Sequence, residues 1–136
     1  MATFTASAAQ STSAARYDAT DTVMRIVRYT HPIALSVGDV IQMVRIPKGC
    51  NVTVVQFGCS ASAGAITVNC GDGNDTSCYA ASSVLSGSAM VSPTLTYRGL
   101  GRSYSAEDTV DFQVTVLSAV PGTVDLVMRI EYTNAG

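Results

Sequence analysis

The sequence predicts an all-β protein, an antiparallel β-sandwich of about eight strands, on three observations. Apolar and polar residues alternate over 40–46, 52–57 and 65–70. Turn-forming runs separate these stretches: Pro47-Lys48-Gly49, Ser60-Ala61-Ser62-Ala63-Gly64 and, after the third, Gly71-Asp72-Gly73-Asn74-Asp75. No stretch carries ten residues of helical period with caps at its ends. Period-two patterning over short runs, punctuated this tightly, belongs to strands that bury one face against a second layer.

Residues 1–22 read as an extended N-terminal arm ahead of a single domain over 23–136. The arm is dominated by Ala, Ser and Thr, with Phe4, Arg16 and Tyr17 as side chains suited to contact. It offers too little apolar area to offset the entropy of ordering, so by itself it is expected to move unless a neighbouring subunit orders it. Val23, Arg25, Val27 and Tyr29 alternate with Met24, Ile26 and Arg28 as a first strand, which His31-Pro32 interrupts. Val40 to Ile46 follows, bounded by Val37-Gly38-Asp39 and Pro47-Lys48-Gly49, both turn chemistry. The next two strands, 52–59 and 65–70, would face Cys59 with Cys70 if they pair as a hairpin. Tyr79 to Leu85 and Thr94 to Arg98 are candidate strands on either side of a break at Ser92-Pro93, and Gly99-Leu100-Gly101 is a loop.

The most regular patterning lies at the C-terminus. Val110, Phe112, Val114 and Val116 alternate with Asp111, Gln113 and Thr115; beyond Val120-Pro121-Gly122, Val124, Leu126, Met128, Ile130 and Tyr132 alternate with Asp125, Val127, Arg129 and Glu131. The two arms are expected to pair as an antiparallel hairpin at the centre of the core. Each inward side chain would then contribute about 1.5–3 kcal/mol.

The chain's 136 residues suit one domain that buries roughly two-thirds of the unfolded accessible area. Charged residues make up 13%, roughly half the usual share, so small polar residues and Ala must cover a surface suited more to contact than to solvation. A net charge of −2 removes the broad basic footprint of a nucleic-acid binder, and no direct nucleic-acid partner is expected. No apolar run approaches the ~18 residues that span a bilayer, and no basic and apolar leader opens the chain. A soluble product of the cytoplasm with no membrane partner is therefore expected. Cys50, Cys59, Cys70 and Cys78 lack the paired spacing of a zinc site. They read as small, half-buried free thiols, the alternative being a Cys59–Cys70 disulfide.

No constellation carries catalysis, and no catalytic residue, cofactor or metal is assigned. Asp72-Gly73-Asn74-Asp75-Thr76 opens like a calcium loop, but the places that require Gly and Glu hold Ser77 and Ser83. A tight turn is the expected reading, with an irregular calcium site shared between subunits as the lesser alternative. His31 is the only histidine, and Leu85-Ser86-Gly87-Ser88-Ala89 lacks the first glycine of a nucleophile elbow. Asp18, Asp21, Asp39, Glu107 and Asp108 fall at strand ends and turns, where solvated carboxylates are ordinary. Gly99-Leu100-Gly101-Arg102 has neither the third glycine nor the helix of a phosphate loop. Asn51-Val52-Thr53 and Asn74-Asp75-Thr76 match the glycosylation sequon by chance if no secretory leader is present. Arg98 and Arg102 flank the glycine loop with Tyr97 and Tyr104 nearby, a mixture that reads as a subunit contact or as an ordinary solvated loop.

The run Val37-Gly38-Asp39 through Pro47-Lys48-Gly49, a Val-rich strand, a Gly-containing turn and then Val68-Asn69-Cys70-Gly71-Asp72-Gly73-Asn74-Asp75 ahead of Tyr79 resembles small structural proteins of tailed bacteriophages. The resemblance covers roughly residues 22–85. It implies a jelly-roll β-sandwich acting as a capsid cement, or decoration, protein on the outer surface of the virion head, bridging neighbouring subunits of the major capsid protein. It brings no catalytic residues with it. A homo-oligomer is expected, a trimer at local three-fold positions being slightly favoured over a dimer. Subunit or capsid contacts are expected at Phe4, Arg16, Tyr17, Tyr97, Arg98, Arg102 and Tyr104. The four cysteines and the arm lie outside the family's pattern. The competing readings are a tail, fibre or baseplate component, and a carbohydrate-binding module; the latter is opposed by the absence of Trp and by only six Tyr and three Phe.

Overall fold

The computed structural model of the chain describes residues 3–6, 22–31, 36–60, 66–85, 90–117 and 124–134, and everything below concerns these. They form nine strands: β1 Thr3–Thr5, β2 Thr22–His31, β3 Val40–Ile46, β4 Cys50–Cys59, β5 Ile66–Gly71, β6 Ala80–Leu85, β7 Arg102–Ser103, β8 Asp108–Leu117 and β9 Val124–Asn134. Two sheets face each other, one ordered β1-β3-β8-β5-β6 and the other β2-β9-β4-β7.

The topology follows from one pattern of pairing. β5 pairs with β6, β4 with β7, β3 with β8 and β2 with β9, all antiparallel. Strands β2 to β9 are therefore one long hairpin whose tip is the β5–β6 connection, rolled so that successive rungs fall alternately in opposite layers. Pairings of β4 with β9 and of β5 with β8 knit each layer together. This is the strand order of a jelly roll. Within the segment expected to be an arm, β1 adds to the β3 edge in parallel, from Thr3↔Val40 to Thr5↔Gln42. Phe4 packs against the core, Ala6 is buried, and the Ala6 amide donates to the Gln42 carbonyl at 2.9 Å.

Alternation sets which side chains enter the core. Val23 and Val27 of β2 point inward while Met24 and Ile26 are exposed, as the period-two pattern requires. Phe57 of β4 and Phe112 of β8 meet across the two layers edge to face, with ring centroids 5.2 Å apart and planes at 70°. Tyr132, Met128 and Ile130 of β9 and Ile41, Met43 and Ile46 of β3 complete the centre from opposite sheets.

Bulges adjust the phase. Gln42 pairs with Asp111 but Val44 with Val110, so Met43 is extra and two successive residues, Met43 and Val44, are both buried. In β4 the shift between Val52 and Val54 makes Thr53 the extra residue and carries the inward phase from Val52 to Val55.

Several sequence-based expectations are corrected. The arms 110–116 and 124–132 are not a hairpin: β8 and β9 lie in opposite sheets and face each other through the core. Their patterning reports which face is buried, and burial is the same whether the partner strand sits beside or above. For the same reason 52–59 and 65–70 are not hairpin partners, since β4 and β5 belong to different sheets. The four cysteines are buried thiols that form no disulfide, not half-buried ones. Val116 points outward at 53% exposure, because Thr67 pairs with Val116 but Val68 with Val114, leaving Thr115 extra and reversing the phase of β8. The strand expected over Thr94 to Arg98 is absent; β7 is instead Arg102–Ser103, held on Asn51 and Val52 of β4. The turns at 61–64 and 121–122 lie outside the described residues.

The Phe57–Phe112 contact is the direct test of the interlayer packing. Phe112→Ala is expected to cost about 3–5 kcal/mol in urea unfolding. A double-mutant cycle with Phe57→Ala should return a coupling of about 0.5–1.5 kcal/mol beyond the area lost; additive effects would place the two rings in independent environments.

Candidate interaction surface and the loop that supports it

The tip of the long hairpin, residues 71–79, is where the sequence's Gly-Asp-Gly-Asn-Asp run falls. A Cβ on Gly71 would collide with the backbone carbonyl of Asp75, so only glycine closes the loop this tightly. The Asp72 amide donates to the Asp75 carbonyl at 2.9 Å, and Asp72 Oδ1 accepts from the amides of Asn74 and Asp75 at 3.0 and 2.9 Å. An aspartate folding its own loop in this way is ordinary turn chemistry. Asp75 repeats the device, its Oδ1 accepting from the Ser77 amide at 3.1 Å.

Asp72 then reaches beyond its own loop. Its side chain is out of solvent, and Oδ2 accepts from Arg102 Nε at 2.5 Å and from the Tyr104 hydroxyl at 3.0 Å. Arg102 Nη2 adds a contact to Oδ1 at 3.3 Å. The Tyr104 hydroxyl also meets that of Tyr79, and the Cys78 thiol lies 3.7 Å from Asp72 Oδ2. One carboxylate thus ties the β5–β6 tip to β7 and the residue after it.

A second ion pair runs parallel to the first. Arg98 Nη1 lies 2.7 Å from Asp75 Oδ2, and Nη2 donates to the Ser77 carbonyl at 3.2 Å. Gly99 sits so close to the tip that a Cβ there would lie 2.5 Å from the Cys78 carbonyl. The Gly101 amide donates to the Val52 carbonyl at 2.9 Å, anchoring the turn on β4.

The electrostatics follow. Burial opposes ionisation of Asp72, but the bonds from Arg102, the Asp75 amide, Tyr104 and the Asn74 amide outweigh it and hold its pKa below the usual value of 3.8. The Asp72 bond in turn raises Arg102. Burial, with the nearby Asp72 carboxylate as a smaller cause, pushes the Cys78 thiol up to about 12, and burial keeps Tyr79 and Tyr104 protonated. Asp111 goes the other way. Burial first, with Asp108 and Asp72 adding repulsion, pushes it up to about 7 against a single hydroxyl bond from Thr109 at 2.7 Å.

The residues picked out in the sequence separate into supports and displays. Tyr104 is buried and Arg102 is largely committed to Asp72, so both hold the loop from beneath. Arg98 is half exposed and held by Asp75. Tyr97 is 99% exposed and Leu100 63%. Phe4 is partly buried on β1, while Arg16 and Tyr17 lie outside the described residues, as do Asp18, Asp21 and the Ser86–Ala89 run. His31 ends β2 opposite Val124. Asp39, expected in solvent, is buried and accepts from the Ser36 amide at 2.8 Å; Glu107 pairs with Arg45, and Asp108 accepts from the Gly73 and Thr109 amides. Sequence reading missed Asp72 and Tyr79 as partners of Arg102 and Tyr104. Nothing in their spacing of some thirty residues signals the contact.

A polar cleft of about 120 Å³ opens beside this network, lined in part by Asp72, Asn74, Arg102, Glu107 and Asp108. The calcium reading finds no free donors at its heart, since both Asp72 oxygens are engaged by donors of the chain itself. Among the described residues no three His, Cys, Asp or Glu side chains are grouped to hold a metal ion.

No family model and no curated protein matches the sequence. Solved structures do match. A chain of the capsid of Ralstonia phage GP4 superposes with a TM-score of 0.75 at 14% identity, covering 98% of this chain and 99% of that one. This chain shares its fold with phage capsid chains. A chain of the cyanophage Pam1 capsid asymmetric unit matches with a TM-score of 0.69 at 19% identity over 92% of this chain and 94% of that one. A chain of the acidic stable capsid structure of Helicobacter pylori bacteriophage KHP30 gives 0.57 at 14% identity over 86% and 94%. At these identities the likeness to the phage capsid chains is one of architecture: a sandwich of the same size, matched nearly end to end.

Two measurements probe the network. Asp72→Asn should destabilise by about 2–3 kcal/mol in urea unfolding, less than the 3–5 kcal/mol of a wholly buried pair because Arg102 keeps some contact with water. Asp111 gives the opposite pH response. Its folded pKa of about 7 lies above the unfolded 3.8, so the folded state holds the proton longer and stability falls as pH rises from about 4 to about 7. Asp111→Asn should flatten that slope and raise the melting temperature at pH 8 relative to the parent; an unchanged slope would mean that Asp111 ionises freely in the fold.

Proposed function

We propose that this chain is a structural protein of a phage virion, a cement or decoration protein that binds the outer surface of the head and bridges neighbouring major capsid subunits. The observation that carries the reading is the two-way coverage of the capsid chains: 98% and 99% for one, 92% and 94% for another. The relatives in fold are therefore whole chains of this size, not domains cut from larger ones.

The chemistry of the buried thiols and of the surface supports a gluing role. Cys70 and Cys78, two of the four thiols, are pushed away from the nucleophilic thiolate by burial. A chain with only 13% charged residues has a surface cheaper to desolvate against a neighbour than an ordinary one. A standard interface needs about 800 Å² from each partner, which a sandwich this small supplies on few faces. Self-association into a trimer would multiply such contacts on a repeating lattice, because the second and third become intramolecular.

The test is co-sedimentation of the purified protein with empty, tailless heads stripped of it. Saturable binding is expected, together with a rise in the temperature at which the shells come apart. Absence of binding to heads, or binding to isolated tails instead, would overturn the reading.

A further inference from the structure

Tyr97 is almost wholly in water, yet the backbone that carries it is closely held by hydrogen bonds. The amides of Gly99 and Leu100 both donate to the Thr96 carbonyl at 3.0 Å, and the Arg102 amide donates to the Gly99 carbonyl at 3.1 Å. Gly101 takes a φ of +69° and is bonded to Val52. Below the turn, Arg98 and Arg102 grip Asp75 and Asp72. Left in water, the ring forgoes roughly 25 cal/mol per Å² that burial would supply.

We propose that the turn 96–101 is a preorganised docking tip whose Tyr97 and Leu100 enter an apolar recess on a different virion protein. This rests on the virion reading above and names the surface by which it acts. Two observations define the partner. Arg98 in the turn and Arg102 just after it are both ion-paired within the chain, so the tip presents no unpaired charge and calls for an apolar socket with an acceptor for the phenol. Because the turn is held before binding, seating it freezes little besides two side chains, and Tyr is the residue that gives large contact area for few rotors.

The socket is not one this chain offers in the cleft beside the turn. That cleft is lined by Asp72, Glu107 and Asp108, and an apolar tip seated there would desolvate carboxylates without pairing them. The apolar side chains exposed on strands, Met24 and Ile26 of β2 and Val84 and Val116 of β6 and β8, stand on sheet faces, which are surfaces and not sockets. A sugar fits less well than a protein: Tyr97 is the only strongly exposed aromatic among the described residues, and its neighbour in the turn is aliphatic.

The experiment compares intact protein with Tyr97→Ala, Tyr97→Phe and Leu100→Ala for binding to stripped heads, alongside melting temperature and solution mass. Tyr97→Ala is expected to weaken head binding by about tenfold or more, the range of an interface hot spot. Tyr97→Phe should fall between the two, and every variant should keep the parent's melting temperature and mass. Head binding by Tyr97→Ala equal to the parent's would overturn the tip while leaving the virion reading intact. A changed solution mass would make the tip a contact between copies, and glycan binding that depends on Tyr97 would reassign it to sugar; either overturns the proposed partner. If the parent itself fails to bind heads, the virion reading falls and the tip's partner falls with it.

Discussion

One buried carboxylate closes the hairpin from which the whole sandwich is rolled. Apolar burial supplies most of the driving force for this fold, but it is non-directional, and alternating strands would satisfy it in more than one strand order. Asp72 is directional. It folds its own loop through two amides and then accepts from Arg102 and Tyr104, so the hairpin tip and β7 are held in a single arrangement. A charge withdrawn from water is tolerated only where such donors meet it, which makes the contact intolerant of any other geometry. The pairing of β4 with β7, next along the hairpin, is only two residues long, and the Asp72–Arg102 link supports it from the side.

The same network explains an otherwise odd division of charge. Asp72 and Asp111 are both sheltered carboxyls, yet one is driven toward ionisation and the other away from it. Asp72 has a guanidinium, a phenol and two amides as donors; Asp111 has one hydroxyl and two acidic neighbours. Number and sign of partners decide the outcome, since burial acts on both in the same direction.

That division also shapes the outer surface. Arg98 and Arg102 spend their charge on the chain's own loop, and what the loop shows to the outside is Tyr97 and Leu100. The chain as a whole is poor in charge and shares the architecture of phage capsid chains over nearly its whole length. A turn already held by hydrogen bonds, with its arginine paired inside the chain, reduces what any association there must freeze and desolvate.

The all-β class, the outward face of β2 and most of the inward residues of β8 and β9 are legible in the sequence, because strand alternation is local and the core imposes it on every strand alike. Val23, Val27, Phe112, Met128 and Tyr132 fall inside as their spacing requires. Partner choice is not local. Whether β8 lies beside β9 or across from it leaves the same pattern of apolar residues, and only the rolled hairpin puts them in opposite sheets. Val116 turns outward through a bulge set by β5, and Arg102 and Tyr104 turn inward to a carboxylate thirty residues away. Periodicity determined what is buried; pairing between distant strands decided against what, because a hydrogen-bond register is a property of two segments and is written in neither alone.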